Sequence, residues 1–192
     1  MLAVKNRLKQ AATKTNYLVV VTALAALSGL VFMTVFVSGQ QIIRGQANSM
    51  PRWVAHEVAS EFADGSDPSS LLGATKTDVS NRGSLAISVY DRNHNLITSN
   101  AALDGEVPLI PGGVLEHATA DKDNAITWQP VKGVRLAAVV VFTEKGYVVA
   151  TNNLADAENQ ITHLLIINSL AFLGSLALII IAAAAYRRIS KS

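Results

Sequence analysis

The sequence predicts an α+β protein, a five-stranded antiparallel sheet with flanking helices set between two transmembrane α-helices. Three observations carry this reading. Two charge-free apolar runs, Tyr17 to Val37 and Leu164 to Tyr186, stand near the two ends of the chain. Five short β-rich runs bounded by turn residues occupy the middle. Two amphipathic segments, one after the first apolar run and one before the second, supply cover for a face of that sheet.

At 1.5 Å per residue each apolar run spans roughly 30 Å, the thickness of a hydrocarbon core. Half of the 192 residues are hydrophobic and only 16% are charged, with a mean hydropathy of +0.31, which is too apolar for an ordinary soluble domain. The chain therefore divides into a basic tail (1–16), a first span (17–38), an extracytoplasmic domain (39–162), a second span (163–186) and a second basic tail (187–192). The apolar core of the first run exceeds the h-region of a signal peptide. Val37-Ser38-Gly39 is moreover a poor cleavage site, so an uncleaved anchor is expected.

Charge sorts by segment. Lys5, Arg7, Lys9 and Lys14 precede the first span, Arg187, Arg188 and Lys191 follow the second, and every acidic residue lies between the spans. By the positive-inside rule both termini are cytoplasmic and the central domain is extracytoplasmic, in a two-pass protein of the cell membrane. The sequence pI near 9.0 comes from the tails. It points to anionic membrane lipid as a partner and gives no support to nucleic acid. The absence of cysteine excludes a disulfide framework.

Taken in order, Gln40 to Asn48 continues as helix, and Ser49-Met50-Pro51 reads as a kink or restart, since proline suits only a first turn. From Arg52 to Ala63, Val54, Val58 and Phe62 recur at four-residue steps with Trp53, Ala55 and Ala59 beside them, so one face covers a sheet. Asp64 to Gly83 is polar and Gly-rich, a loop with about one helical turn near Leu71-Leu72. Leu85 to Tyr90 and Leu96 to Thr98 form a hairpin around Asp91-Arg92-Asn93-His94-Asn95. Ala101 to Pro111 is loop, and Gly112 to Ala120 a short helix. Three strands follow over Ala125 to Gln129, Val134 to Phe142 and Tyr147 to Asn152. The second is almost continuously apolar and is expected to be central and covered on both faces. Helix resumes near Leu154 and continues into the second span. Along it Leu154, Ala157, Ile161, Leu164, Asn168, Ala171 and Ser175 follow the 3-4 spacing of a helix-packing seam.

The runs VYDRNHNLITSNAALDG, WQPVKGVRLAAVVV and GYVVATNNLADAENQI resemble the extracytoplasmic PAS-like modules, also called Cache or PDC domains, of bacterial sensor histidine kinases in two-component systems. The resemblance covers about Arg52 to Leu165. It implies a PAS/Cache-like sheet that holds a small ligand in a cleft, or takes a partner's contact, and moves the helices leading to the membrane. The hairpin pattern of such modules is Asp-x-x-Gly; here the glycine position is His94, which is expected at positive φ, so that glycine there should stabilise the domain. The chain ends six residues after Tyr186 with no kinase core. Output is expected to pass through a partner membrane protein or the helices of a homodimer.

Several residues are candidates for that cleft. Arg135 opens the expected central strand and presents the planar fork that pairs with a carboxylate; the plainer and favoured reading is a solvated or ion-paired arginine at a strand end. Tyr90, Thr127 and Trp128 offer a phenol, a hydroxyl and an aromatic wall, or simply cross-strand packing. His117 stands on the short helix as a ligand contact or a surface residue. A small carboxylate or an amino acid suits these groups. In the spans, Asn168, Ala171 and Ser175 share one seam, and Ala25 and Gly29 form a small-x-x-x-small pair, the arrangement of a close helix–helix interface in a bundle of two chains. No hydrolase, metalloprotease or nucleotide-binding motif is present, and the histidines at 56, 94, 117 and 163 lack metal-ligand spacing. Asp121, Asp123 and Glu116 are a weak cation signal. The sequence therefore predicts no enzyme, no metal and no cofactor, and a sensor module. The competing reading is a structural or accessory membrane protein whose domain is a rigid docking surface.

Overall fold

The structure is a computed structural model that describes residues 2–73 and 75–189, with side chains from Tyr17 onward. The side chains of the first basic tail, and Lys191 of the second, lie outside the described residues. The chain divides into two units, residues 1–41 with 161–192, and residues 42–160.

The first unit is built on the apolar parts of two helices, α1 (Leu2–Asp64) and α4 (Ala155–Ile189). Both are long and apolar enough to cross a membrane, with hydropathy of 2.4 and 2.6 over their most apolar stretches. The second unit contains the C-terminal part of α1 followed by α2 (Pro68–Leu71), β1 (Thr77–Asp78), β2 (Leu85–Asp91), β3 (Leu96–Ser99), β4 (Ala101–Ala102), α3 (Gly112–Leu115), β5 (Asn124–Val131), β6 (Val134–Thr143) and β7 (Gly146–Asn153), and ends in the first turns of α4.

The expected five-stranded antiparallel sheet is present, in the order β3-β2-β7-β6-β5. The central strand is β7, in place of the expected β6. β2 pairs along its whole length with β7, from Leu85 opposite Asn152 to Asp91 opposite Gly146, and so inserts the last strand between the two hairpins. β6 lies beside it and is buried on both faces from Leu136 to Val141. Pro130, which has no N–H to donate, sits on the edge strand β5, where no ladder partner is lost. Two short strands that the sequence reading leaves as loop, β1 and β4, pair in parallel beyond the main sheet. The short helix ends at Leu115, because Thr119 and Lys122 exchange backbone hydrogen bonds in a tight turn where the helix was expected to continue.

Each face of the sheet has its own core. Val54, Ala55, Ala59 and Phe62 of α1 pack on Val89, Val139, Val141, Val148 and Ala150, with Val58 at the margin. Trp53, expected beside them, points outward and is 62% exposed. The opposite face carries Ala138, Val140 and Val149 under Ile110, Leu115 and Ala118, and beyond them Ala86 and Leu136 under Val79, Ala101 and Leu103. Helix α1 does not restart at Pro51; it runs through this buried residue. The Ser49 hydroxyl donates to the Gln46 carbonyl just before it, at 2.7 Å.

Local chemistry fixes the turns. In the β2–β3 hairpin the Asp91 carboxylate accepts the backbone N–H groups of Asn93 and Asn95, both at 2.8 Å, and the Asn95 carboxamide at 2.9 Å. These bonds, the Asn95 carboxamide first, hold the Asp91 carboxyl below its ordinary pKa. His94 follows at φ 65°, the left-handed conformation the hairpin pattern requires. The β6–β7 turn closes over two residues, with the Gly146 N–H donating to the Thr143 hydroxyl at 3.2 Å. Asn153 ends the sheet and starts α4: its carboxamide donates to the Val79 carbonyl at 2.8 Å and its oxygen accepts the Ala155 N–H at 2.8 Å, which caps the helix.

Candidate functional site

The residues expected to share a cleft are divided between the two faces of the sheet. Tyr90 is 2% exposed, on the face opposite α1, and its hydroxyl accepts the Ile110 N–H at 3.2 Å. Burial pushes that hydroxyl's pKa up against the smaller opposing effects of Ile110 and Ser88. The space in front of it is filled by Leu115, Ala118, Ala138, Val140 and Val149. Trp128 lies partly buried on this same face. Thr127 does not: side chains alternate along β5, so the adjacent Thr127 points to the other face and is exposed. Arg135 is likewise on the α1 face, in register with Val139 and Val141, and its guanidinium pairs with the Glu158 carboxylate in the first turns of α4. Its backbone carbonyl accepts the Leu154 N–H at 2.9 Å, so Arg135 fastens the start of α4 to β6. His117 is exposed and its Nδ1 lies 2.6 Å from the Gly113 carbonyl, on its own turn of chain. Glu116, Asp121 and Asp123 do not converge either: Glu116 lies 3.9 Å from His94, and Asp123 is engaged by α1. Among the described residues no group of three His, Cys, Asp or Glu side chains is placed to hold a metal ion.

Polar side chains converge elsewhere, in a groove of about 360 Å³ between α1 and the β5–β6 end of the sheet. His56, Ala59, Ser60 and Ala63 of α1 form one wall. The turn from Thr119 to Asp123 and the end of β6 from Val141 to Glu144 form the other. Each wall has a local cause. Residues four apart on a helix share a face, so Arg52, His56 and Ser60 line up toward the turn. The paired backbone bonds between Thr119 and Lys122 hold the intervening residues out toward the helix. The Asp123 carboxylate closes one end, accepting from Arg52 Nε at 2.6 Å and meeting His56 Nε2 at 3.3 Å. Burial pushes the Asp123 carboxyl up, but the hydrogen bonds and positive charge of Arg52 and His56 outweigh it, and the group lies below its ordinary pKa. The groove thus presents both signs of charge, with Lys122 against Asp121, Asp123 and Glu144 and the His56 imidazole among them. The sequence carries a trace of it in the Arg52–His56 spacing, but the acid that answers them is 71 residues away.

The apolar helices have a contact surface of their own. Asn168 donates its carboxamide N–H to the Phe32 carbonyl at 3.0 Å, and the hydroxyls of Ser28 and Ser175 meet at 2.7 Å. Phe172 packs on Phe32, ring centres 5.7 Å apart, and lies against Gly29. Asn168, Ser175, Ala25 and Gly29 all fall on the partly covered stripes of the two helices. Ala171 does not: it is exposed, and Phe172 takes its place, because the seam advances four residues from Asn168 before it advances three to Ser175. The interhelical hydrogen bonds expected of this seam join the two apolar helices of one chain.

Comparison of the chain with protein-family models, with curated proteins and with solved structures finds no match.

Proposed function

We propose that this protein is a membrane-anchored extracytoplasmic sensor module of PAS/Cache-like form, which takes a small ligand or a partner's side chains in the groove beside Asp123 and signals through its membrane helices. The observation that supports this most is the make-up of the groove. One wall belongs to α1 and the other to the sheet and its 119–123 turn, so an occupant touches two elements whose arrangement it can bias. The energy available is the difference in its affinity for the two arrangements. Helix α1 is continuous from the apolar segment to that wall, and α4 continues from Asn153 into the second apolar segment. Mixed charge suits an amino acid, whose ammonium would meet Asp121 or Glu144 and whose carboxylate would meet Lys122 or His56. Basic flanks on both apolar segments support cytoplasmic termini. Output would pass to a second copy or to another membrane protein.

One observation favours the docking-surface reading. The sheet face opposite α1 is packed with apolar side chains, and Tyr90 has spent its hydroxyl on the backbone. The two readings separate in a thermal-shift experiment on the full chain in detergent micelles, screened against amino acids and small carboxylates. A stabilising compound that loses its effect in Lys122→Ala supports the sensor. A flat response across the screen would leave the docking surface as the better account.

A further inference from the structure

Within the first unit the helix pair changes character along its length. Around Ser28, Gly29, Phe172 and Ser175 the helices are in contact. Toward the end that carries Tyr17 and Tyr186 they leave a trough of about 720 Å³, walled by Leu24 and Leu178 and shaped by the small Ala182 and Ala183. The trough is apolar, and an unfilled apolar void forfeits the dispersion contacts of its lining. At its mouth Tyr17 and Tyr186 stack, ring centres 6.3 Å apart and 7° from parallel, which brings the start of one span level with the end of the other. The Arg187 guanidinium lies 5.9 Å over the Tyr17 ring, and Arg188 follows it in the last turn of α4. Residues 1–41 and 161–192 contain no Asp or Glu, so this unit offers those arginines no acidic side chain.

We infer that this end of the helix pair binds one anionic phospholipid, with an acyl chain in the trough and the phosphate on Arg187 and Arg188. The trough supplies the shape for a chain and the arginines supply the sign of the headgroup. Basic pockets between membrane helices recognise anionic headgroups in this way. Stacked tyrosines at the mouth suit the interface between chain and headgroup. The inference rests on the two helices being membrane spans. It goes beyond general attraction to an acidic surface by assigning a place, a count and a role to the alanines.

The test uses the full chain reconstituted in nanodiscs of equal phosphatidylcholine and phosphatidylglycerol, released into detergent and weighed by native mass spectrometry. One retained phosphatidylglycerol is expected, preferred over phosphatidylcholine by about 25-fold, since each of the two arginines near the surface contributes roughly fivefold. Arg187→Gln with Arg188→Gln should bring the two lipids to parity. Ala182→Leu with Ala183→Leu should fill the trough and abolish retention of both. Equal retention of the two lipids by the parent chain would overturn the site, as would undiminished phosphatidylglycerol in the leucine variant. A covalent dimer formed through Ala183→Cys would overturn it too, by placing a second copy in the trough. Carbonate extraction of cell membranes keeps the premise separate: a chain released by carbonate refutes the membrane reading, whereas a membrane-retained chain without lipid preference refutes only this site.

Discussion

Asp123→Asn tests the groove at the point where it joins α1 to the sheet. The substitution keeps the shape of the side chain and removes its charge. In the parent protein the Asp123 side chain is 18% exposed, while Arg52 and His56 are 45% and 54% exposed, so both contacts are well screened by water. Each such contact is worth about 0.5 kcal/mol, and the two together about 1 kcal/mol. For a domain of this size that corresponds to a fall in Tm of roughly 4 °C. The pH dependence has a definite sign. Asp123 has its pKa lowered in the folded state, so its contribution is present above the ordinary carboxylate range and is lost as pH falls through the lowered folded value. Thermal unfolding of the full chain in micelles, followed by tryptophan fluorescence, should show the parent and Asp123→Asn separated at neutral pH and converging in acid. A gap that persists unchanged in acid would mean that the loss is one of packing, and no gap at neutral pH would mean that the ion pairs do not hold α1.

Three further outcomes follow from the geometry. A Cβ on Gly146 would sit 2.0 Å from the Tyr90 carbonyl oxygen, so Gly146→Ala must push β7 away from β2 and should cost about 3 kcal/mol, read as a lower Tm and faster amide exchange in both strands. His94→Gly relieves the left-handed backbone but deletes a ring packed 5.4 Å from Tyr147 and in contact range of Gly112. The stabilisation expected from the turn alone is therefore reversed to a loss of about 0.5 kcal/mol, measured by thermal unfolding, with a rise in Tm as the contrary result. Ser28→Cys with Ser175→Cys should oxidise to a bridge within one chain, since the parent hydroxyls are 2.7 Å apart. On non-reducing gels a ladder of dimers in place of a fast-migrating monomer would place the seam between chains.

What was legible in the sequence was what is local. The two apolar helices declare themselves by length and absence of charge, and the strands of the main sheet by alternation and by the turn residues between them. The order of strands was not legible, because the pairing of β2 with β7 joins residues about sixty positions apart and leaves no periodic trace. β1 and β4 are two residues each, too short for a pattern. Among the site residues, the placing of Thr127 beside Trp128 in one wall fails on the period of a strand alone. Arg135 was readable as an ion pair at a strand end, but its partner Glu158 belongs to a helix that only the folded chain brings near. The groove stayed invisible because its acid and its bases are held together by tertiary structure. The span seam was nearly complete in the 3-4 spacing, and Phe172 was displaced by Ala171 only through the choice of a step of three over a step of four.

The seam has a consequence for how two such apolar helices would enter a membrane. An exposed carboxamide in hydrocarbon opposes insertion, and Asn168 is the amide of the second apolar helix. By the time that residue leaves the ribosome the first span has long been made, with the Phe32 carbonyl and the Ser28 hydroxyl facing the side on which α4 packs. In a bilayer the earlier helix would serve as a template for the later one, with the Asn168 carboxamide and the Ser28 and Ser175 hydroxyls turned to the seam between them.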